Sequence, residues 1–130
     1  MTGALLDTSV VIGGVSASAA RLPESAAISI ITIGELRAGV RLAIDPSARA
    51  ARQRRLNAIL EAFEPLPVDE LVVEHYGEIL ALARSAGRAS KATDVLIIAT
   101  AAATGRELHT LDEGQASLAR RARVAVTARR

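Results

Sequence analysis

Short apolar runs alternate with longer amphipathic segments along this chain. Gly3 to Asp7 and Ala26 to Ile31 have the length and apolar character of buried strands, and each leads into a helix-like segment. Glu107 to Leu111 and Val124 to Thr127 are further strand candidates. Strands that alternate with helices form a parallel sheet with helices on both faces. The pattern predicts an α/β fold whose central parallel sheet has four to five strands.

The segments between the strands carry helix start and stop signals. Thr32 to Glu35 has the form of a capping box and predicts a helix that runs to about Ala43. Ala48 to Phe63 is typical of an amphipathic helix rich in arginine. Asp69 is expected to cap a further helix that ends near Gly87.

The most apolar segment of the chain runs from Val95 to Ala103 and ends at Gly105. It is hydrophobic on nearly every side, which predicts a central, buried helix. Beyond the strand candidate that follows it, Asp112 to Gly114 is predicted to form a turn.

The length and composition describe a folded chain without thiol chemistry. With 130 residues there is room for one hydrophobic core, so we expect a single domain over residues 1–130. Half of the residues are hydrophobic, which excludes intrinsic disorder. The absence of cysteine excludes disulfides, a thiolate nucleophile and cysteine-ligated metals. Any metal ion must be held by oxygen ligands or by the two histidines.

No part of the sequence has the length of a membrane helix. The longest uncharged stretches, Thr8 to Ala20 and Val95 to Gly105, are shorter than the roughly 20 apolar residues such a helix needs. No basic segment of the kind that opens a signal peptide precedes them. We therefore expect a cytoplasmic protein with no membrane partner.

Arginine dominates the basic residues, since Lys91 is the single lysine among 16 basic side chains, against 14 acidic ones. The arginines crowd residues 37–55 and 120–130. Arginine binds phosphate through a planar pair of donors, so both clusters are compatible with a nucleic-acid partner, although a GC-rich genome also favours arginine. The only aromatic residues are Phe63 and Tyr76, which argues against recognition of single strands by base stacking.

Four acidic residues follow strands or open helices, the positions that meet at one edge of a parallel sheet. These residues are Asp7 and Asp112, which follow strands, and Glu35 and Asp94, which lie at helix starts. Two carboxylates about 4 Å apart repel by about 4 kcal/mol at an effective dielectric constant near 20, so such a cluster needs a cation or protons. Oxygen ligands suit Mg²⁺ or Mn²⁺, and metals held in this way assist phosphodiester cleavage.

Each of these acids also has a purely structural interpretation as a turn residue, a capping partner or a charge at a helix start. Their convergence favours a site, although Glu113 competes with Asp112 for the fourth position. His75 lies in a predicted helix and His109 in a predicted strand. Neither has a serine or cysteine arrangement suited to a catalytic triad, so we interpret both as structural.

Four segments resemble the successive motifs of PIN-domain ribonucleases and, more narrowly, of the toxins of VapBC toxin–antitoxin systems. The segments are Leu5 to Ile12, Ile28 to Gly39, Asp94 to Gly105 and Leu108 to Asp112. They cover essentially the whole chain in the family's order. The family often has an Asp-Phe pair a few residues after its fourth acid, and here residues 113–117 contain none.

The resemblance implies a single PIN-like domain with Mg²⁺- or Mn²⁺-dependent endoribonuclease activity, usually in a homodimer. It also implies an RNA substrate and a cognate VapB-type antitoxin whose C-terminal segment occupies the acidic site. On the same resemblance, the catalytic and metal-binding acids are Asp7, Glu35, Asp94 and Asp112, and the supporting hydroxyls are those of Ser9 and Thr110.

Two other functions are compatible with the same residues. An aspartyl phosphatase also has an aspartate after its first strand, but it carries a second aspartate two residues later, where this chain has Ser9. A non-catalytic interaction module would bind a structural cation at the four acids. It would show metal-dependent stability without turnover.

Overall fold

The computed structural model describes residues 3–18 and 25–129. The end of the uncharged stretch that begins at Thr8 lies outside these residues. The strands and helices, in chain order, are β1 (Ala4–Leu6), α1 (Thr8–Ser18), α2 (Ile30–Leu42), α3 (Pro46–Ala62), α4 (Glu70–Ser85), α5 (Ala92–Thr104), β2 (Glu107–Thr110), α6 (Glu113–Arg121) and β3 (Val126–Ala128). This order of strands and helices confirms the predicted α/β class.

The three strands form one parallel sheet in the order β1-β2-β3. Leu5 pairs with Leu108, and His109 pairs with Thr127. Because the strands run in the same direction, the residues that follow β1 and β2 lie at one edge of the sheet. The NH of Asp7 donates to the carbonyl of His109 at 2.9 Å, which extends the β1–β2 pairing to that edge.

Beyond β1 the sheet continues through single bridges and not through full strands. Ala27 bridges Leu5, and Leu66 bridges Ser29, both in parallel orientation. The predicted strand from Ala26 to Ile31 is shortened because α2 begins within it. The described sheet therefore has three strands and two bridging segments, where four to five strands were predicted.

Successive residues of β1 bury opposite faces of the sheet. Leu5 packs in a cluster with Ile98 of α5, whereas Leu6 packs in a second cluster with Val10 of α1 and Ile33 of α2. All five side chains are buried. Helices thus cover both faces of the sheet, as a buried parallel sheet requires.

The central helix α5 agrees with its prediction. Ile97, Ile98 and Thr100 have no exposed surface. Gly105 ends the helix with a left-handed backbone (φ 64°), a conformation that glycine adopts without steric cost. No helix in residues 3–18 or 25–129 is both long enough and apolar enough to cross a bilayer. The burial of α5 fixes the position of Asp94 in its first turn.

Aspartates cap two further helices. Asp69 accepts from the NH of Val72 at 3.0 Å, as predicted. Asp45 accepts from the NH of Ala48 at 3.2 Å. Because of this cap α3 begins at Pro46, earlier than predicted.

Three local predictions are wrong. Ser29 caps α2 by accepting from the NH of Ile31 at 3.0 Å, so Thr32 lies inside the helix and forms no capping box. The predicted turn at Asp112 is instead the start of helix α6. The last strand begins at Val126, two residues later than predicted, because the preceding residues bond back to the last turn of α6.

Candidate active site

Asp7 is a buried carboxylate at the end of β1, with 4% of its surface exposed. Its Oδ2 accepts two hydrogen bonds, from Ser9 Oγ at 2.6 Å and from Thr110 Oγ1 at 2.9 Å. A buried carboxylate is costly unless it is hydrogen-bonded, and these two donors meet that need. Both donors use the same oxygen, so among the described residues Oδ1 is the Asp7 oxygen left to bind a ligand.

Backbone NH groups hold both hydroxyls in place. Ser9 Oγ accepts from the NH of Leu111 at 3.0 Å, and Thr110 Oγ1 accepts from the NH of Asp112 at 3.0 Å. Each hydroxyl donates its one proton to Asp7 and accepts from the chain after β2. The structure thus places the two hydroxyls expected from the sequence against Asp7.

Glu35 lies half-buried in the second turn of α2. Its Oε1 accepts from Thr8 Oγ1 at 2.6 Å, and Thr8 Oγ1 lies 2.9 Å from Thr32 Oγ1. Thr32 and Glu35 were expected to serve as the two members of a capping box. They are instead linked through Thr8, which ties the start of α1 to α2.

Asp94 is partly buried in the first turn of α5. Burial raises the pKa of its carboxyl above the usual value, and the nearby carboxylates of Asp7, Asp112 and Glu35 raise that pKa further, in that order. The ammonium of Lys91 acts in the opposite direction. Within the described part of the chain no hydrogen bond reaches the Asp94 carboxylate. Three of the acids predicted from the sequence therefore act electrostatically on the fourth, Asp94.

Asp112 follows β2 and caps α6, because its Oδ1 accepts from the NH of Gln115 at 3.1 Å. The neighbouring Glu113 lies in the first turn of α6 and is exposed. Asp112 contributes to the raised pKa of Asp94, and Glu113 is not among its causes. Of the two competitors, the structure brings Asp112 to the acidic cluster.

Gln115 is a buried residue of this site that the sequence reasoning missed. Its side-chain Nε2 donates to the backbone carbonyl of Asp94 at 3.1 Å, and its backbone NH donates to Oδ1 of Asp112. With 3% of its surface exposed, it joins the starts of α5 and α6. An aspartate followed three residues later by glutamine matches the pattern of a capping box, and this signal would have revealed both α6 and Gln115.

A cleft of about 230 Å³ opens beside Asp94 and Asp112. Arg88 and Lys91 also line it. The Arg88 guanidinium donates to the carbonyl of Gly114 at 3.1 Å and to a serine hydroxyl of α6 at 3.0 Å, which fixes its direction. Negative and positive side chains therefore share one cleft, as a site for a metal ion and a phosphate requires.

The carboxylates fit a hydrated divalent ion better than an all-protein cage. Among residues 3–18 and 25–129, no three acidic or histidine side chains come close enough to hold one ion together. Mg²⁺ keeps several waters and is usually bound through only one or two carboxylates. Asp7, Glu35 and Asp112 each have one oxygen engaged in a hydrogen bond and one without such a bond in the described structure. The donor chemistry therefore suits such an ion.

The two histidines do not join the acids. Nδ1 of His109 lies 3.1 Å from Nη1 of Arg129, and because a guanidinium only donates, Nδ1 accepts. Nε2 of His109 then donates to Glu107 Oε1 at 2.7 Å. Both ring nitrogens are thus occupied, and His75 lies half-buried on α4. These placements agree with a structural interpretation.

Helices α2 and α3 present the first arginine cluster. Arg49 donates to the carbonyl of Ala43 at 2.9 Å, and Arg52 donates to the carbonyl of Gly39 at 2.7 Å. These bonds tie α3 to the end of α2. The exposed guanidinium of Arg41 belongs to the same surface. The cluster therefore combines a structural role with a positively charged face.

The comparisons with known proteins agree with this geometry. The sequence profile of the PIN domain family matches residues 4–121, a range that contains all four acids. The chain belongs to the PIN domain family. It is 44% identical over 100 residues to Ribonuclease VapC8 of Mycobacterium tuberculosis, which covers 75% of this chain and 88% of that relative. It is 38% identical over 121 residues to Ribonuclease VapC4 of the same organism, 88% of this chain and 90% of that relative.

A solved structure shares the fold of this PIN domain. A member of the VapBC family of toxin–antitoxin systems, VapBC-5 from Mycobacterium tuberculosis, matches it with a TM-score of 0.84 and 30% identity, over 97% of this chain and 98% of that one. The resemblance inferred from the sequence motifs is thus confirmed. Membership of this family also decides against the aspartyl phosphatase alternative.

Proposed function

We propose that this PIN domain is a metal-dependent endoribonuclease that acts as the toxin of a type II toxin–antitoxin module. The observation that carries the proposal is that Thr110 joins Asp7 to the backbone of Asp112, while Asp112 and Asp94 line one cleft. Asp7, Glu35 and Asp112, from separate parts of the chain, also raise the pKa of Asp94, and such an accumulation of negative charge suits a bound cation. The names of the relatives, which are ribonucleases, support the same activity.

Mg²⁺ or Mn²⁺ is the proposed cofactor, because the available ligands are carboxylate oxygens. The residues proposed to hold it, directly or through its bound waters, are Asp7, Glu35, Asp94 and Asp112, with only one or two carboxylates bound to the ion itself. A divalent cation held there would supply a more acidic water and positive charge beside the phosphodiester.

The protein's own residues prepare the acids for this task. Ser9 and Thr110 donate to Oδ2 of Asp7, which satisfies this buried oxygen and holds the carboxylate in one orientation. Asp94 has the raised pKa and no hydrogen bond among the described residues, so it gains most from a neighbouring cation. Without that cation, the raised pKa means that the Asp94 carboxyl takes up a proton at a higher pH than an ordinary aspartate does.

The substrate is proposed to be RNA, bound through its phosphates. Arg88 and Lys91 lie in the same cleft as Asp94 and Asp112, so a backbone phosphate can contact both charges while the adjoining phosphodiester meets the acids. With only two aromatic residues in the chain, stacking on bases contributes little. Such binding favours the shape and charge of the RNA over its sequence.

A VapB-type antitoxin is the proposed cognate partner, and a homodimer is the proposed assembly, in the cytoplasm. The similarity to VapBC-5 over nearly the whole chain supports the first of these. The acidic cluster offers an obvious target for a basic antitoxin segment, since opposite charges favour association. Purifying the chain with its antitoxin and measuring the mass of both forms in solution tests the partner and the dimer together.

The activity is tested with purified protein and total cellular RNA. We expect cleavage with Mn²⁺ or Mg²⁺, none with EDTA, and none by the Asp94→Asn variant. Glu113→Gln, an exposed neighbour of the cluster, serves as the matched control and is expected to cleave as the wild type does. Sequencing of RNA ends after brief expression in cells then identifies the target.

Each alternative outcome has a distinct meaning. Metal-dependent stabilisation without RNA cleavage would establish the non-catalytic cation-binding module. Cleavage that persists in EDTA, or in Asp94→Asn, would rule out the proposed site.

A further inference from the structure

The site contains a pair of buried threonines that act on Glu35 and not on Asp7. We propose that Thr32 and Thr8 form a one-way hydrogen-bond relay that positions Glu35. The relay rests on the proposed ribonuclease function, in which Glu35 is one of the acids. Thr8 and Thr32 are then positioning residues, separate from the Ser9 and Thr110 pair that holds Asp7.

The direction of the relay follows from proton counting. Thr8 Oγ1 lies 2.6 Å from Glu35 Oε1, and an ionised carboxylate can only accept, so the Thr8 proton is donated to Glu35. A hydroxyl has one proton, so the 2.9 Å contact between Thr8 and Thr32 must use the proton of Thr32. Charge-assisted bonds of this kind polarise the donor behind them, which strengthens the pair.

The burial of these side chains points to a role for their hydroxyls. Thr32 has no exposed surface and Thr8 has 8%. A valine would fill the same space, and a buried hydroxyl is unfavourable unless it is hydrogen-bonded. The neighbouring residues Ile31 and Ile33 are apolar, as the core demands. Thr32 keeps its hydroxyl at this depth because Thr8 accepts its bond.

The relay also fixes Glu35 relative to Asp7. Thr8 follows Asp7 directly in the chain, and in the described part of the structure no basic side chain forms an ion pair with Glu35. The Thr8 hydroxyl is therefore the one described hydrogen bond that orients the Glu35 carboxylate. Consecutive residues at the start of α1 thus serve different acids, because Ser9 holds Asp7 and Thr8 holds Glu35.

The test uses valine variants, which replace a threonine hydroxyl by a methyl group of similar size, and a serine variant, which keeps the hydroxyl. The rate of RNA cleavage and the Kd for Mn²⁺, measured by calorimetry on metal-free protein, are compared for Thr8→Val, Thr8→Ser and Thr32→Val. The matched control is Thr100→Val, since Thr100 is as buried as Thr32 but its hydroxyl, among the described residues, bonds only to the carbonyl of Leu96 within its own helix.

We expect Thr8→Val to weaken Mn²⁺ binding and to slow cleavage, each by about 10–100-fold, as for other residues that orient a metal ligand. Thr8→Ser restores the donor and should stay close to the wild type. Thr32→Val should have a smaller effect, because Thr8 still donates to Glu35. Thr100→Val should change neither quantity.

A second measurement does not depend on RNA or metal. The melting temperature of the metal-free protein is compared for Thr8→Val, Glu35→Ala and the double variant. If the relay exists, Thr8→Val lowers the melting temperature in the wild-type background and much less in the Glu35→Ala background.

These readouts separate the relay from the proposed function. If the wild type neither binds Mn²⁺ nor cleaves RNA, the proposed ribonuclease function is wrong. The melting temperatures of the variants still test the relay in that case. Equal losses of melting temperature in both backgrounds, or a Thr8→Ser variant as impaired as Thr8→Val, would overturn the relay even if the enzyme cleaves RNA.

Discussion

The hydroxyl of Thr110 donates to the carboxylate of Asp7 at 2.9 Å, across 103 residues of sequence. The Oγ1 oxygen of Thr110 also accepts a hydrogen bond from the NH of Asp112 at 3.0 Å. One buried side chain of β2 therefore connects the acid that follows β1 with the acid that begins α6. The relative positions of these two carboxylates depend on this hydroxyl.

Thr110→Val is expected to lower both stability and activity. It leaves the buried Asp7 carboxylate with one donor and the NH of Asp112 without its acceptor, and the loss of a partner by a buried group costs about 1–3 kcal/mol. Denaturant unfolding measures this loss, and we expect RNA cleavage to fall by about 10–100-fold. Thr110→Ser keeps the hydroxyl and should retain most of the stability and most of the RNA cleavage. A Thr110→Val protein that cleaves RNA at the wild-type rate would show that this bond does not matter for activity.

Asp94→Asn is expected to change how stability depends on pH. Burial and the neighbouring carboxylates raise the pKa of Asp94 in the folded protein, so the folded state binds this proton more tightly than the unfolded chain does. In metal-free protein the charged Asp94 therefore destabilises the fold at neutral pH. This destabilisation fades as the pH falls through the raised pKa and is gone below the ordinary value of 3.8.

The measurement is the melting temperature in EDTA at several pH values. The difference between Asp94→Asn and the wild type should favour the variant more at pH 7 than at about pH 4. Asparagine cannot replace the carboxylate charge, so the variant should also lose RNA cleavage. If Asp94 served only to interact with the helix dipole, Asp94→Asn would instead lower the free energy of unfolding by about 0.3–1 kcal/mol at neutral pH and leave activity unchanged.

Mn²⁺ or Mg²⁺ is expected to stabilise the folded chain. An ion that binds only the folded state contributes about 2.7 kcal/mol at a concentration 100 times its Kd. Thermal unfolding with increasing Mn²⁺ checks this, and EDTA should reverse the shift. Asp94→Asn should lose most of it. The absence of any shift or binding heat in the wild type would refute the metal site.

Asp112 and Glu113 are expected to differ sharply although they are neighbours. Asp112→Asn keeps the oxygen that caps α6, so stability should change little while the lost charge lowers RNA cleavage. Glu113→Gln removes an exposed charge and should leave the cleavage rate unchanged. Kinetics of the two variants under identical conditions decide the matter. The reverse ranking would assign the fourth acid to Glu113.

RNA binding is expected to depend strongly on salt. With phosphate contacts dominant, the logarithm of affinity should fall linearly with the logarithm of salt concentration. The inactive Asp94→Asn protein allows this measurement without cleavage. Lys91→Gln, in the same background, should reduce the slope by about 1 if Lys91 contacts a phosphate. Tight, salt-insensitive binding of an unstructured oligonucleotide would contradict this mode of recognition.

Features with a strong local signal could be predicted from the sequence. The buried helix α5, its end at Gly105 and the cap at Asp69 follow from apolar patterning and cap chemistry. The convergence of the acids also follows, because parallel strands bring Asp7 and Asp112 to one edge. These predictions rest on short stretches or on a topological rule, and both are visible in one sequence.

Features that depend on tertiary contacts could not be predicted in the same way. Helix α6 is only nine residues long and begins with Glu113 and Gly114, which together with Asp112 have the composition of a turn and obscure the cap between Asp112 and Gln115. The helix cap expected at Thr32 is formed by Ser29 instead. The Thr32 hydroxyl forms a hydrogen bond with Thr8 of another helix. A pairing across 24 residues leaves no local trace in the sequence.

The pairing of β1 with β2 has a consequence for synthesis of the protein. Thr110 and Asp112 are translated about 100 residues after Asp7, which takes roughly 5–20 s at 5–20 residues per second. Throughout that interval a nascent chain lacks the donor that holds Asp7 and the whole of β2. The acidic cluster therefore assembles only after β2 has been made, and we expect a chain truncated before β2 to lack the proposed RNA cleavage.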